Sequence, residues 1–117
     1  MRKGIIAALG LTVSIGLTAM AWGAEKSVSG TLEDSFCYAT MGAHGAGHKK
    51  CAQACARKGI PVSLVENGSG TMYVLIPPKN DEAIPDSVIS RMEDSVTITG
   101  DEYVKGGVHY LTVKSVK

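Results

Sequence analysis

The 117-residue chain is poor in aromatic side chains, with one Trp, one Phe and four Tyr. It also lacks charge of either sign in excess, with 12 Lys and Arg against 11 Asp and Glu for a formal net of +1. Nucleic-acid binding draws on a basic surplus for phosphate and on aromatic faces for bases, so no nucleic-acid partner is expected. No internal repeat or low-complexity tract is present apart from the Gly/Ala-rich "MGAHGAG". Recognisable catalytic signatures are missing too. There is no Cys-x-x-Cys-His for covalent haem and no Cys-x-x-Cys opening a helix beside a βαβ unit for thioredoxin-like exchange. Cys51 and His48 could form a nucleophile–base pair, yet no hydrolase signature surrounds them. The acidic residues are spread over strand ends and the 80–86 loop, which reads as a solvated charged surface. An enzyme is therefore not expected.

The only long apolar run lies at the N-terminus. Arg2 and Lys3 precede the run over 5–19, and Ala19-Met20-Ala21 or Ala21-Trp22-Gly23 supplies a small-residue cleavage site. Residues 1–23 thus read as a signal peptide; the competing reading is an uncleaved anchor, since the run nearly reaches spanning length. No cysteine lies near either site, so lipid attachment is not expected. The working compartment is then periplasmic or secreted, with no membrane contact after cleavage. Residues 24–117 make one domain, small enough that a disulfide or a metal would add appreciably to its stability. Without Arg2 and Lys3 the formal charge moves from +1 to −1.

Hydrophobic alternation places a half-buried strand over 26–33, with Val28 and Leu32 on one face and Ser27, Ser29, Thr31 and Glu33 on the other. Gly30 within it predicts a bend or a close backbone approach. Two short β-rich runs, 61–66 and 71–76, flank "NGSG", a hairpin turn that tolerates positive φ. A short helix over 87–93 follows, with Asp86 as its N-cap. The strands 95–104 and 108–116 flank Lys105-Gly106-Gly107, a second hairpin. Five strands with a helix between the third and fourth is the element order of an OB-fold. The fold class is therefore mainly β with short helices, a five-stranded OB-fold-like small barrel, against the rival of an open sheet with one covering helix. The closing hairpin also resembles the last hairpin of small bacterial OB-fold proteins.

Between the first two strands, "CYATMGAHGAGHKKCAQAC" holds all three cysteines and two of the three histidines. Good helix formers, then Gly59 and Pro61, predict a helix over 48–58. At about 100° per residue, His48, Cys51 and Cys55 fall within an arc of roughly 60°, which is expected to face inward, with Lys49, Lys50, Gln53 and Arg57 opposite. Cys37, just beyond the first strand, would be delivered near that helix. Three thiols and an imidazole suit tetrahedral Zn(II), and thiolates also suit Cu(I). Other readings stay open: Cys37 in a disulfide with Cys51 or Cys55, leaving one odd thiol, or cysteines as small apolar core residues. His44, among glycines, is either a fourth or exchangeable ligand or simply exposed. Met41 and Met72 could add thioethers for Cu(I). His109, on the face of Leu111 and Val113, reads as a packed or surface residue. Asp34 could orient a ligand imidazole or cap a turn.

The segment "DSFCYATMGAHGAGHKKCAQACARKGIPVSLV" resembles a class of small secreted bacterial OB-fold-like proteins of unassigned activity. Their shared pattern is Asp-x-x-Cys, a Gly/His loop, His-x-x-Cys-x-x-x-Cys, then Gly and a strand, here Asp34, Cys37, His48, Cys51, Cys55 and Gly59. Tyr38 departs from it, standing where many relatives are expected to have glycine, which leaves the local turn open. The resemblance implies a metal or redox site and no particular reaction. Three functions remain: a periplasmic protein that buffers, senses or transfers Zn or Cu(I), with the ion and another periplasmic protein as partners; a disulfide-stapled interaction module binding through the face around Tyr73 and Tyr103; or a thiol redox protein.

Overall fold

In the computed structural model, residues 23–117 are described, together with Gly4 and Gly10. The expected signal peptide, 1–23, lies outside the described residues except for those two glycines and Gly23. Among the described residues no helix is long and apolar enough to cross a membrane. The elements run β1 (Ala24–Asp34), α1 (Ser35–Met41), a 3-10 turn (Ala46–His48), α2 (Lys49–Arg57), β2 (Val62–Glu66), β3 (Met72–Ile76), α3 (Asp86–Ile89), β4 (Ser95–Lys105), β5 (Val108–Thr112) and β6 (Ser115–Val116).

The sheet closes on itself. Strands follow the order β1-β2-β3-β5-β4, and β4 returns to pair with β1. All these pairings are antiparallel except β3 with β5, which are parallel. The result is a closed, five-stranded, mixed OB-fold-like barrel, and the open-sheet alternative is excluded. Closure needs one strand to serve two neighbours. The first part of β1, from Ala24 to Thr31, pairs with β4, while Gly30 to Asp34 pairs with β2. The handover falls at Gly30, where an added Cβ would collide with the backbone carbonyl of Val65. The barrel is filled by the inward residues of every strand: Val28 and Leu32, Val62 and Leu64, Tyr73 and Leu75, Val96 and Ile98, Leu111 and Val113. Val88 and Met92 join from the crossover, and Ala52 of α2 joins from the excursion.

Three details differ from the sequence reading. The helix expected over 87–93 is only four residues long, and Asp86 lies in its first turn behind Pro85 instead of capping it. The chain leaves the helix early because it must rejoin β1: the Glu93 N–H donates to the Leu32 carbonyl at 2.8 Å, and the Leu32 N–H to that of Asp94 at 3.2 Å. Glu93 reaches this position with a left-handed φ of 67°. The last expected strand breaks after Thr112, and β6 folds onto Ile98 and Thr99 of β4. Glu33, expected on the solvent side, is 3% exposed. Burial, followed by the nearby Glu93 carboxylate, pushes its carboxyl up to about 8. The acidic residues are thus not all solvated. Oε2 of Glu33 and Oε1 of Glu93 are both buried without a hydrogen-bond partner.

Two outcomes follow from this packing. Gly30→Ala should destabilise the fold by about 1–3 kcal/mol in denaturant unfolding, because neither backbone at the β1–β2 contact can move aside freely; unchanged stability would mean that the strands are not so close. Between the ordinary carboxyl value of 4.5 and about 8, folded Glu33 holds a proton that the unfolded chain releases. Its contribution is therefore full below that window and lost as pH rises through it. Melting temperature should fall across that range, and Glu33→Gln should flatten the slope.

Candidate metal centre

β1 and β2 are antiparallel neighbours with Asp34 opposite Val62, so the excursion between them starts and ends at adjacent positions. Asp34 is both the last residue of β1 and the N-cap of α1, its Oδ1 accepting from the Phe36 and Cys37 N–H groups. Asp and Asn suit this position because a short side-chain oxygen can reach the unpaired N–H groups of a helix start. Gly42, with φ of 66°, ends α1. No tight turn follows Cys37, since Tyr38 lies within the helix. The Gly45 N–H donates to Glu93 Oε2 at 2.8 Å, which pins the loop just before the turn that carries His48.

Helix α2 sits with Ala52 fully buried in the barrel end and Ala56 packed beside it. The inward direction is therefore centred near Ala52 and Ala56 and not on the expected Cys stripe. At about 100° per residue, Cys51 points roughly 100° away from Ala52. Cys51 is accordingly exposed, Cys55 half-buried and His48 partly buried. The side expected to face only solvent in fact docks on the crossover. Lys49 pairs with Asp94 at 2.9 Å, Arg57 with Asp86 at 3.2 Å, and the Gln53 amide donates to the Ser90 carbonyl at 3.2 Å.

These placements bring a carboxylate oxygen of Asp34, Cys37 Sγ and a ring nitrogen of His48 within 4.8 Å of one another. Asp34 is 1% exposed and Cys37 7%. No N–H or O–H reaches Asp34 Oδ2 or His48 Nε2, although both atoms are buried. Contact with the Asp34 carboxylate, helped by burial, pushes the Cys37 thiol up to about 11. The same carboxylate, then burial and Cys51, raises the Cys55 thiol. Burial would lift the Asp34 carboxyl itself, but the Cys37 and Cys55 thiols and the two backbone N–H donors outweigh it and hold it below its ordinary value. Cys37 and Cys55 therefore meet at one carboxylate, and Cys51 adjoins Cys55.

All three cysteines are free. His44 is exposed, with Nδ1 2.8 Å from the Gly42 carbonyl oxygen. Among the described residues it is not part of the Asp34–Cys37–His48 group. Met41 is exposed, and Met72 pairs with Val65 on β3. His109, on β5 between β3 and β4, lies edge-on to Tyr73 and 3.3 Å from Glu102. Tyr73 is buried there, its hydroxyl accepting from Lys26 at 2.8 Å, whereas Tyr103 is exposed. The two tyrosines thus do not share one outer face. A groove of about 500 Å³ between α2, the 77–86 loop and α3 is lined by neither His48 nor any thiol. Sequence reasoning gave Asp34 only a supporting part; its direct place in the cluster was signalled by its position three residues before Cys37, the spacing of an N-cap to N3.

No family model matches this chain, and neither the curated proteins nor the solved structures include a match. Asp34→Asn keeps a capping oxygen but removes the charge. With Cys51 and Cys55 replaced by Ser so that only Cys37 reacts, the pH midpoint of its alkylation should lie above the ordinary 9.0 with Asp34 present and move down toward it in Asp34→Asn. An unmoved midpoint would argue that carboxylate and thiol are not in contact.

Proposed function

We propose that this protein is a small periplasmic or secreted metal-binding protein whose ion is Zn(II), held by Asp34, Cys37, His48 and Cys55. The observation that carries the reading is the pair of buried, unpartnered atoms, Asp34 Oδ2 and His48 Nε2, beside the Cys37 sulfur. Burying a polar atom without a partner costs free energy, and two such atoms beside one thiol suggest a shared cationic partner. Around tetrahedral zinc, with bonds of about 2.0–2.3 Å, ligand atoms sit roughly 3.3–3.8 Å apart. The Asp34, Cys37 and His48 donor atoms already lie within 4.8 Å of one another, and Cys55 would complete the set by turning its thiol toward them.

The choice of ion follows from the donor set. Oxygen and imidazole donors beside thiolates favour Zn(II), whereas Cu(I) prefers sulfur alone. The three thiols without Asp34 would instead suit Cu(I), and elemental analysis of anaerobically purified protein separates the two. The residues supply the rest of the binding chemistry. Asp34 holds the Cys37 and Cys55 thiols protonated in the free protein, and an incoming dication takes over the place of those protons. Binding therefore releases protons, and apparent affinity rises with pH. Export by the leader and handover to another periplasmic protein belong to the same reading.

Titration of reduced protein with zinc should give one ion per chain. At free zinc about 100 times Kd the fold should gain about 2.7 kcal/mol. Cys37→Ser should weaken binding by at least about 100-fold, while His109→Ala should leave it unchanged. Identical melting curves with and without zinc would refute the proposal.

A further inference from the structure

The three thiols differ in their access to water. Cys37 is buried, Cys55 is half-buried, and Cys51 is exposed one helical turn before Cys55 on α2. The four donors proposed above, Asp34, Cys37, His48 and Cys55, fill a tetrahedral shell without Cys51, so Cys51 is surplus to it. It is also where an ion arriving from solvent first meets sulfur. Exposed Lys50 and Lys58 lie on the same helix or at its C-cap, and α2 contains no acidic residue.

We infer that Cys51 is the exchange ligand of this site, the thiol through which zinc enters from, and leaves to, an anionic acceptor such as a protein surface bearing carboxylates or thiolates. The inference rests on the metal-binding reading above and adds the route of transfer to it. Releasing a four-coordinate ion without an entering donor requires a protein–metal bond to break before a competitor binds. A fifth donor at the rim removes that requirement, because zinc accepts transient five-coordination. On the way out, the Cys51 thiol gives its proton to solvent and its thiolate binds zinc as the Cys55 thiolate lets go. Cys55 then takes up a proton from solvent, and donors of the acceptor replace Cys51 and, in turn, His48, Cys37 and Asp34. The Cys51 and Cys37 thiolates are reprotonated from solvent as their bonds to zinc break. No electrons are transferred. The positive charge of α2 draws anionic acceptors to this edge, which makes the rate sensitive to salt.

The test uses zinc alone and the anionic chromophoric chelator 4-(2-pyridylazo)resorcinol, with wild type, Cys51→Ser and Cys55→Ser compared in equilibrium titration and stopped-flow release. Cys51 is exposed, so its replacement should leave the circular dichroism spectrum unchanged. The expected result is a zinc affinity within about threefold of wild type for Cys51→Ser, with release slowed at least tenfold, and a large loss of affinity for Cys55→Ser. If Cys51→Ser loses affinity as severely as Cys55→Ser, Cys51 is a resident ligand and the exchange role is overturned while metal binding stands. Release at the wild-type rate from Cys51→Ser overturns it equally. Should wild type take up no zinc in the same titration, it is the metal-binding reading that fails.

Discussion

A carboxylate almost wholly removed from water must be neutralised by whatever surrounds it, and the surroundings of Asp34 follow from that demand. One oxygen is satisfied by the first N–H groups of α1, which orients the helix as it leaves the barrel. The carboxylate also draws two thiols, one from α1 and one from α2, so the two helices of the excursion converge on a single charge. The remaining oxygen receives no N–H or O–H. Helix start, thiol protonation and metal affinity are therefore linked through one side chain, and a change there acts on all three.

The barrel decides where this charge lies. Because β1 and β2 are antiparallel neighbours, the chain leaves at Asp34 and returns at Val62 directly opposite, and everything between must double back on itself. That constraint brings Cys37 to Cys55 although nothing in the local sequence connects them. The crossover then fixes the excursion from the far side. Glu93, in a left-handed conformation, holds the loop ahead of His48 through the Gly45 N–H, while Asp86 and Asp94 hold the basic side of α2. The site is thus assembled from three separate stretches of chain, with rigid strands behind the carboxylate and helices carrying the softer donors.

Glu33 and Glu93 show what this assembly costs. The two carboxylates approach each other in a buried position, and one must carry a proton near neutrality. A purely apolar arrangement would be more stable there. Glu93 has a second task beside this pairing: its Oε2 accepts from the Gly45 N–H and anchors the loop ahead of His48.

Much of the barrel was legible from local pattern. Alternation along β1, the "NGSG" and Gly106-Gly107 turns, and the order of strands around the crossover depend on near neighbours, so the fold class and the role of Gly30 could be read directly. The helix holding Cys51 and Cys55 was legible for the same reason, although His48 stands at its N-cap, at the end of the 3-10 turn, and not inside it. Its rotation about its own axis was not, because which side faces inward depends on what the barrel end offers, and that is a hollow for Ala52 and Ala56. A turn of roughly 100° separates the expected stripe from the real one, and it moves Cys51 from interior to surface. The burial of Glu33 and the early end of α3 were hidden likewise, since both are set by contacts between residues some sixty positions apart. Composition and periodicity alone determined a small barrel with a cysteine-bearing helix inserted after its first strand. Only the tertiary structure decided that Asp34 meets that helix and that the three thiols differ in exposure, because burial is a property of the packed whole and not of any one segment.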